Sequence, residues 1–108
     1  MNSTPLKPSS LKIAMWNANG LLHKRQELQE FAFAHNLDAI LISETHLNAG
    51  HIPNLPSYVF HRNDRQTGRG GGTGVYIKKC TDHYALITPA MRNEIEATCV
   101  VVRTASSG

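Results

Sequence analysis

Apolar positions fall into short runs separated by turn-forming clusters. Residues 11–17 (LKIAMWN) place Leu11, Ile13 and Met15 on one face and Ala14 and Trp16 on the other. Apolar side chains on both faces predict a strand covered on both sides, as in the interior of a parallel sheet. The run ends at Asn17-Ala18-Asn19-Gly20, a cluster of turn formers. Leu28, Phe31, Ala32 and His35 then recur at helical spacing, with Lys24, Arg25, Glu27 and Glu30 on the other side. This predicts an amphipathic helix over 23–35, closed by Asn36, a residue that tolerates the left-handed cap. Residues 37–43 (LDAILIS) form a second apolar strand with Glu44 at its carboxyl end. A crossover through a helix of this length makes the two strands parallel and the connection right-handed.

The remainder is less regular. Residues 1–10 are rich in Ser, Pro and Thr and read as a flexible leader. Residues 45–58, with Asn48, Gly50, Pro53, Asn54, Pro56 and Ser57, read as a surface loop. Short strands are predicted at 58–60, 74–77 and 84–88, and a β-branched one at 95–103. Between them lies a polar, glycine-rich stretch, 61–72. The fold class is therefore mixed α/β, with one helix and five or six strands. One helix cannot cover both faces of such a sheet, so either the far face is open or something outside this chain covers it.

Composition narrows the class. At 108 residues the chain is enough for one domain and too short for two. Eleven Lys and Arg against eight Asp and Glu give a formal charge of +3, a mild excess compatible with a polyanionic partner. No apolar run is long enough to span a membrane, and the first residues lack the hydrophobic core of a secretory signal. Asn2-Ser3-Thr4 matches a glycosylation sequon without that route. Cys80 and Cys99 have no metal-ligand spacing and are expected to be reduced, buried small hydrophobes. His46 and His51 lack the HExxH pattern of a zinc site. Trp16 and Tyr76 read as core residues.

Candidate chemistry sits at the strand ends, because ligands of open α/β sheets gather beyond the carboxyl ends of the strands. Asn17 ends the first strand and Glu44 the second. If the strands are neighbours, about 4.8 Å apart, the two side chains can converge on one ion. A carboxylate beside carboxamides is a hard-oxygen site, suited to Mg²⁺ rather than Zn²⁺. The simpler reading on spacing alone is a capping turn at Asn17 and Asn19 and a solvated Glu44. The segment GRGGGTG (68–74) fails the dinucleotide fingerprint and lacks the Lys of a P-loop, so it reads as a turn into a strand. Arg62, Arg65, Arg69, Lys78 and Lys79 are either contacts to DNA phosphates or a solvated loop and strand edge.

WNANGL, followed after a helix and a strand by ISETHL, resembles the endonuclease/exonuclease/phosphatase superfamily. The nearest likeness is to the apurinic-type endonuclease domain of non-LTR, jockey-like retrotransposon proteins. PSYVFHRNDR, GRGGGTGVYIKK and IEATCVVV extend the likeness from Leu11 to Arg103. The resemblance implies a four-layer, deoxyribonuclease I-like α/β sandwich, with residues 11–108 as roughly its first half. It implies Glu44 as the ligand of Mg²⁺ (or Mn²⁺), Asn17 and Asn19 as catalytic positions, and Arg62, Arg65 and Arg69 on nucleic acid. Asn19 stands where repair enzymes of the superfamily carry Asp, which lowers the local negative charge. The implied reaction is phosphodiester hydrolysis that nicks target DNA and leaves a 3′-hydroxyl. The implied setting is a larger polyprotein with a reverse transcriptase, acting in the nucleus.

No Asp-x-Asn occurs in this sequence, and its six histidines all precede the position expected for the family's terminal Asp-His segment. The expectation is a fragment, inactive alone, whose uncovered apolar sheet face makes it aggregation-prone, molten or dimeric. The rival readings are a phosphatase branch of the same superfamily and a non-catalytic remnant.

Overall fold

Backbone hydrogen bonding gathers six strands of the described residues into two sheets. The structure is a computed structural model that describes residues 10–65, 70–93 and 95–104. The elements are β1 (Ile13–Asn17), a 3₁₀ turn (Leu22–Lys24), α1 (Arg25–His35), β2 (Ala39–Ser43), β3 (Tyr58–Asn63), β4 (Thr73–Lys78), β5 (His83–Leu86), α2 (Ala90–Asn93) and β6 (Cys99–Val102). β1 and β2 pair in parallel, as the helical crossover requires. β4 lies antiparallel against β2 and carries β3 on its outer side, giving the order β1-β2-β4-β3. β5 and β6 form a separate antiparallel pair.

Strand alternation divides the larger sheet into two unlike faces. Ala14, Trp16, Ile40, Ile42, Tyr58, Phe60 and Tyr76 cluster with Leu28 and Ala32 of α1 and with Ala18, Leu21 and Leu37 of the connections. Phe60 stacks on Tyr76 at 4.2 Å between ring centroids, and Tyr58 meets Tyr76 edge-on at 6.5 Å. The buried stripe of α1 is narrower than its spacing predicts: Phe31 and His35 are exposed and pack on each other along the outer surface. The helix starts later than predicted because Leu22–Lys24 tighten into a 3₁₀ turn. It ends as predicted, with Asn36 at φ 49° and its N–H turned back to the last carbonyls.

Residues 45–58 are not the surface loop expected. Thr45, Leu47, Pro53 and Leu55 are buried, and Leu47 and Leu55 join the core. The Tyr76 hydroxyl donates to the Pro53 carbonyl, so the loop covers a part of the sheet that a three-turn helix does not reach. The short helix α2 was also unanticipated, although Thr88-Pro89 is a helix-start signal. Cys80 is exposed just beyond β4 and Cys99 is half-buried, so the thiols are not the buried pair expected.

The second sheet sits on the other face, where Val75 and Ile77 are buried. Three side-chain bridges fasten it to the first: Asn63 Nδ2 donates to the carbonyls of Met91 (2.7 Å) and Ala97 (2.9 Å), Thr73 Oγ1 meets Thr98 Oγ1 at 2.8 Å, and His61 Nε2 meets His83 Nε2 at 2.8 Å. The cover stops short of β1, where Ile13 is 53% and Met15 81% exposed.

His83 Nδ1 lies 2.8 Å from the Thr81 carbonyl, which only accepts, so neutral His83 carries its proton there and takes the His61 Nε2–H on its other nitrogen. Burial, and secondarily the neighbouring His83, hold His61 below the ordinary histidine range. Stability from this contact is present in full above the unfolded value of 6.5 and is lost as pH falls below it through the lowered native value. A urea-denaturation series from pH 8 to 5 should show this decline, and His61→Gln should flatten it. Tyr76→Phe should lower unfolding free energy by about 1 kcal/mol in the same assay at pH 8, by deleting the bond to Pro53.

Candidate active site

The register of the larger sheet lines up Asn17, Ser43, Thr73 and Asn63 as one polar row across its end, on the face away from α1. Asn63 and Thr73 are committed to the second sheet, whereas Asn17 and Ser43 are exposed. Backbone pairing continues past the strands: the N–H groups of Ala18, Gly20 and Leu21 donate to the carbonyls of Ser43, Glu44 and Thr45, each at 2.9 Å. The Asn17–Gly20 and Glu44–Thr45 segments therefore run side by side.

The side chains in these segments have separate tasks. Asn17 Oδ1 accepts from the Asn19 N–H at 3.1 Å, so the capping-turn reading holds for Asn17. Asn19 itself is exposed at φ 45°. Glu44 is not simply solvated. Its backbone is left-handed at φ 54°, its Oε2 accepts from the Gly71 N–H at 2.8 Å, and the same oxygen lies 3.4 Å from His46 Nε2. Its side chain is still 43% exposed. Among the described residues no hydrogen bond joins the Asn17 and Glu44 side chains.

The glycine-rich turn holds Glu44 from the other side. Gly70, Gly71 and Gly72 all have positive φ, and the carbonyls of Gly71 and Gly72 accept from the N–H groups of His46 (2.8 Å) and Thr45 (3.2 Å). Thr45 is fully buried, its hydroxyl unpaired among the described residues and pressed against Gly72, leaving no space there for a Cβ. The Gly72 N–H in turn donates to Glu96 Oε1, and Arg65 Nε to Glu96 Oε2 at 3.1 Å. The Gly72 N–H, aided by Arg65, holds the Glu96 carboxyl below the ordinary carboxylate range against the opposing effect of burial. Glu96 was invisible in the sequence, since its partner is a backbone amide 24 residues away.

The expected basic trio is not a free cationic patch. Arg62 makes a two-pronged contact to Asp64 (2.8 and 3.1 Å) and donates to the carbonyls of His51 and Asn48, clamping the 45–58 loop. Arg65 pairs with Glu96, and Arg69 lies outside the described residues. Lys78 bonds Asn36 at the far end of β4, and Lys79 is exposed. Trp16 is half-buried against the core with Lys24 Nζ 5.9 Å above its ring, and Tyr76 is fully buried, as expected.

Among the described residues no three His, Cys, Asp or Glu side chains gather as a metal site. The donors exposed at this end are oxygens: Asn17 amide, Ser43 hydroxyl and Glu44 carboxylate. As a donor set they fit a hard divalent cation, and one or two carboxylates suffice for Mg²⁺ because water and substrate oxygens complete its shell.

Fold and site define a mixed α/β domain with an oxygen-rich end beyond two parallel strands. The chain belongs to the Endonuclease/Exonuclease/phosphatase family, whose sequence profile matches residues 15–102. It is similar to the RNA-directed DNA polymerase from mobile element jockey of Drosophila melanogaster, 35% identical over 96 residues, covering 88% of this chain and 10% of that protein. It is also 34% identical over 97 residues to the probable RNA-directed DNA polymerase from transposon X-element of the same fly, covering 88% and 11% respectively. The chain thus spans about a tenth of the length of these relatives. No helix among the described residues is long and apolar enough to cross a membrane.

Gly72→Ala should cost at least about 1–2 kcal/mol, the penalty of a left-handed L-residue, with the Thr45 collision added. Urea unfolding measures it, and the double variant with Thr45→Ala should recover the collision component.

Proposed function

We propose that residues 11–108 are the N-terminal part of a metal-dependent DNA endonuclease domain of a non-LTR retrotransposon reverse transcriptase protein. What carries the reading is the side-by-side pairing of the Asn17–Gly20 turn with Glu44–Thr45, with the Glu44 carboxylate steadied by the Gly71 N–H. The names of the relatives, RNA-directed DNA polymerases of mobile elements, support the retroelement setting. A second sheet packed on the face opposite α1 supports a deoxyribonuclease I-like sandwich, completed by further strands over Ile13 and Met15.

In this reading Glu44 holds Mg²⁺ or Mn²⁺, which when bound polarises the scissile phosphate and stabilises the leaving oxygen. Asn17 hydrogen-bonds the phosphate or its neighbours, exchanging its turn contact to Asn19 for substrate. Asn19, a carboxamide, adds a polar contact without negative charge. Arg62 and Arg65 contribute through their shape-setting pairs rather than as free cations, and Arg69 meets the DNA backbone. The base that activates water belongs to the rest of the domain, so this chain alone does not cleave. The partners are DNA and the remainder of a polyprotein with a reverse transcriptase, and the place of action is the nucleus.

The test is nicking of supercoiled plasmid by the chain joined to the rest of its domain. Nicking should require Mg²⁺ or Mn²⁺ and stop with EDTA, and Glu44→Ala should reduce it at least about 10²-fold, the loss of several kcal/mol of charge stabilisation. Metal-independent nicking, or full activity of Glu44→Ala, overturns the proposal.

A further inference from the structure

We infer that Glu96, on the segment leading into β6, is a positioning residue that sets the Glu44 carboxylate through the glycine turn. The inference rests on the reading of Glu44 as a cation ligand and names a second residue on which that ligand depends.

Successive backbone amides of the turn each take one carboxylate: Gly71 N–H donates to Glu44 Oε2 at 2.8 Å, and Gly72 N–H to Glu96 Oε1. The second oxygen of Glu96 is held by Arg65 Nε at 3.1 Å, so both its oxygens are fixed. Arg65 also lies directly against Gly71, where its guanidinium occupies the space a side chain would need. All three glycines of the turn have positive φ, so no preferred backbone well of an ordinary residue defines its shape. The contacts to Glu96, Thr45 and His46 define it instead.

Glu96 is also close to the polar end of the sheet. A cavity of about 260 Å³ is lined by Met15, Ser43, Thr73, Val75 and Glu96, so Glu96 shares a cavity with Ser43 and Thr73 of the polar row. Because Glu96 lies on the segment leading into β6 and Glu44 directly follows β2, docking of the two sheets bears on the aim of the ligand. Groups that orient a metal ligand through a hydrogen bond commonly change affinity by 10–100-fold when altered.

The experiment titrates the 108-residue chain with Mn²⁺ alone and reads free ion by electron paramagnetic resonance. Glu96→Asp keeps the charge but shortens the reach, and about 10-fold weaker binding is expected at an unchanged circular dichroism spectrum. Tyr76→Phe, which removes the hydrogen bond to the Pro53 carbonyl, should stay within about twofold of wild type on the same scale of effects. Should Glu96→Asp fail to fold, Arg65→Gln loosens the same grip and should weaken binding in the same direction. Wild-type affinity in the Asp and Gln variants overturns the inference. Complete loss in Glu96→Asp, equal to that in Glu44→Ala, also overturns it by making Glu96 a direct ligand. If Glu44→Ala binds Mn²⁺ as wild type does, the parent reading fails; if Glu44→Ala loses binding while Glu96→Asp does not, only this inference fails.

Discussion

Three backbone hydrogen bonds, from Ala18, Gly20 and Leu21 to Ser43, Glu44 and Thr45, extend the parallel pairing of β1 and β2 beyond the strands themselves. Everything proposed for the site depends on them. They hold two connections that would otherwise diverge, one entering a helix and the other a long loop, in a fixed register. They also place Leu21 and Thr45 wholly inside, so the polar end of the sheet rests on a packed floor. Such an end is pre-organised by the same burial that stabilises the fold.

A second layer of order comes from carboxylates meeting backbone amides. Glu44 and Glu96 grip adjacent peptide units of a turn that has no side chains of its own to pack. Arg62 and Arg65, the obvious cations of this region, are spent on Asp64, Glu96 and loop carbonyls. Net positive charge in the sequence is thus a poor guide to free positive charge at the surface, because local pairs cancel much of it.

The strand-helix-strand unit was legible because its signals are local: apolar runs, helical spacing, and Asn36 where a left-handed cap was needed. The juxtaposition of Asn17 and Glu44 segments followed from that topology and from the resemblance carried by WNANGL and ISETHL. What the sequence hid is non-local. Leu47 and Leu55 looked like loop residues because Pro, Gly and Asn surround them, yet the apolar demand of Tyr76 and Tyr58 draws them inward. Glu96, the polar row and the two-histidine bridge exist only through the pairing of distant strands, and no spacing rule encodes them.

Glu44 and His46 both stand in the left-handed region, on either side of a buried Thr45. Each such residue with a side chain carries about 1–2 kcal/mol of conformational energy that glycine would release. A chain drifting towards greater robustness would therefore tend to replace them, and the relaxed molecule would have lost its acidic group. Thermal ruggedness and possession of that carboxylate pull against each other at this one bend of the backbone.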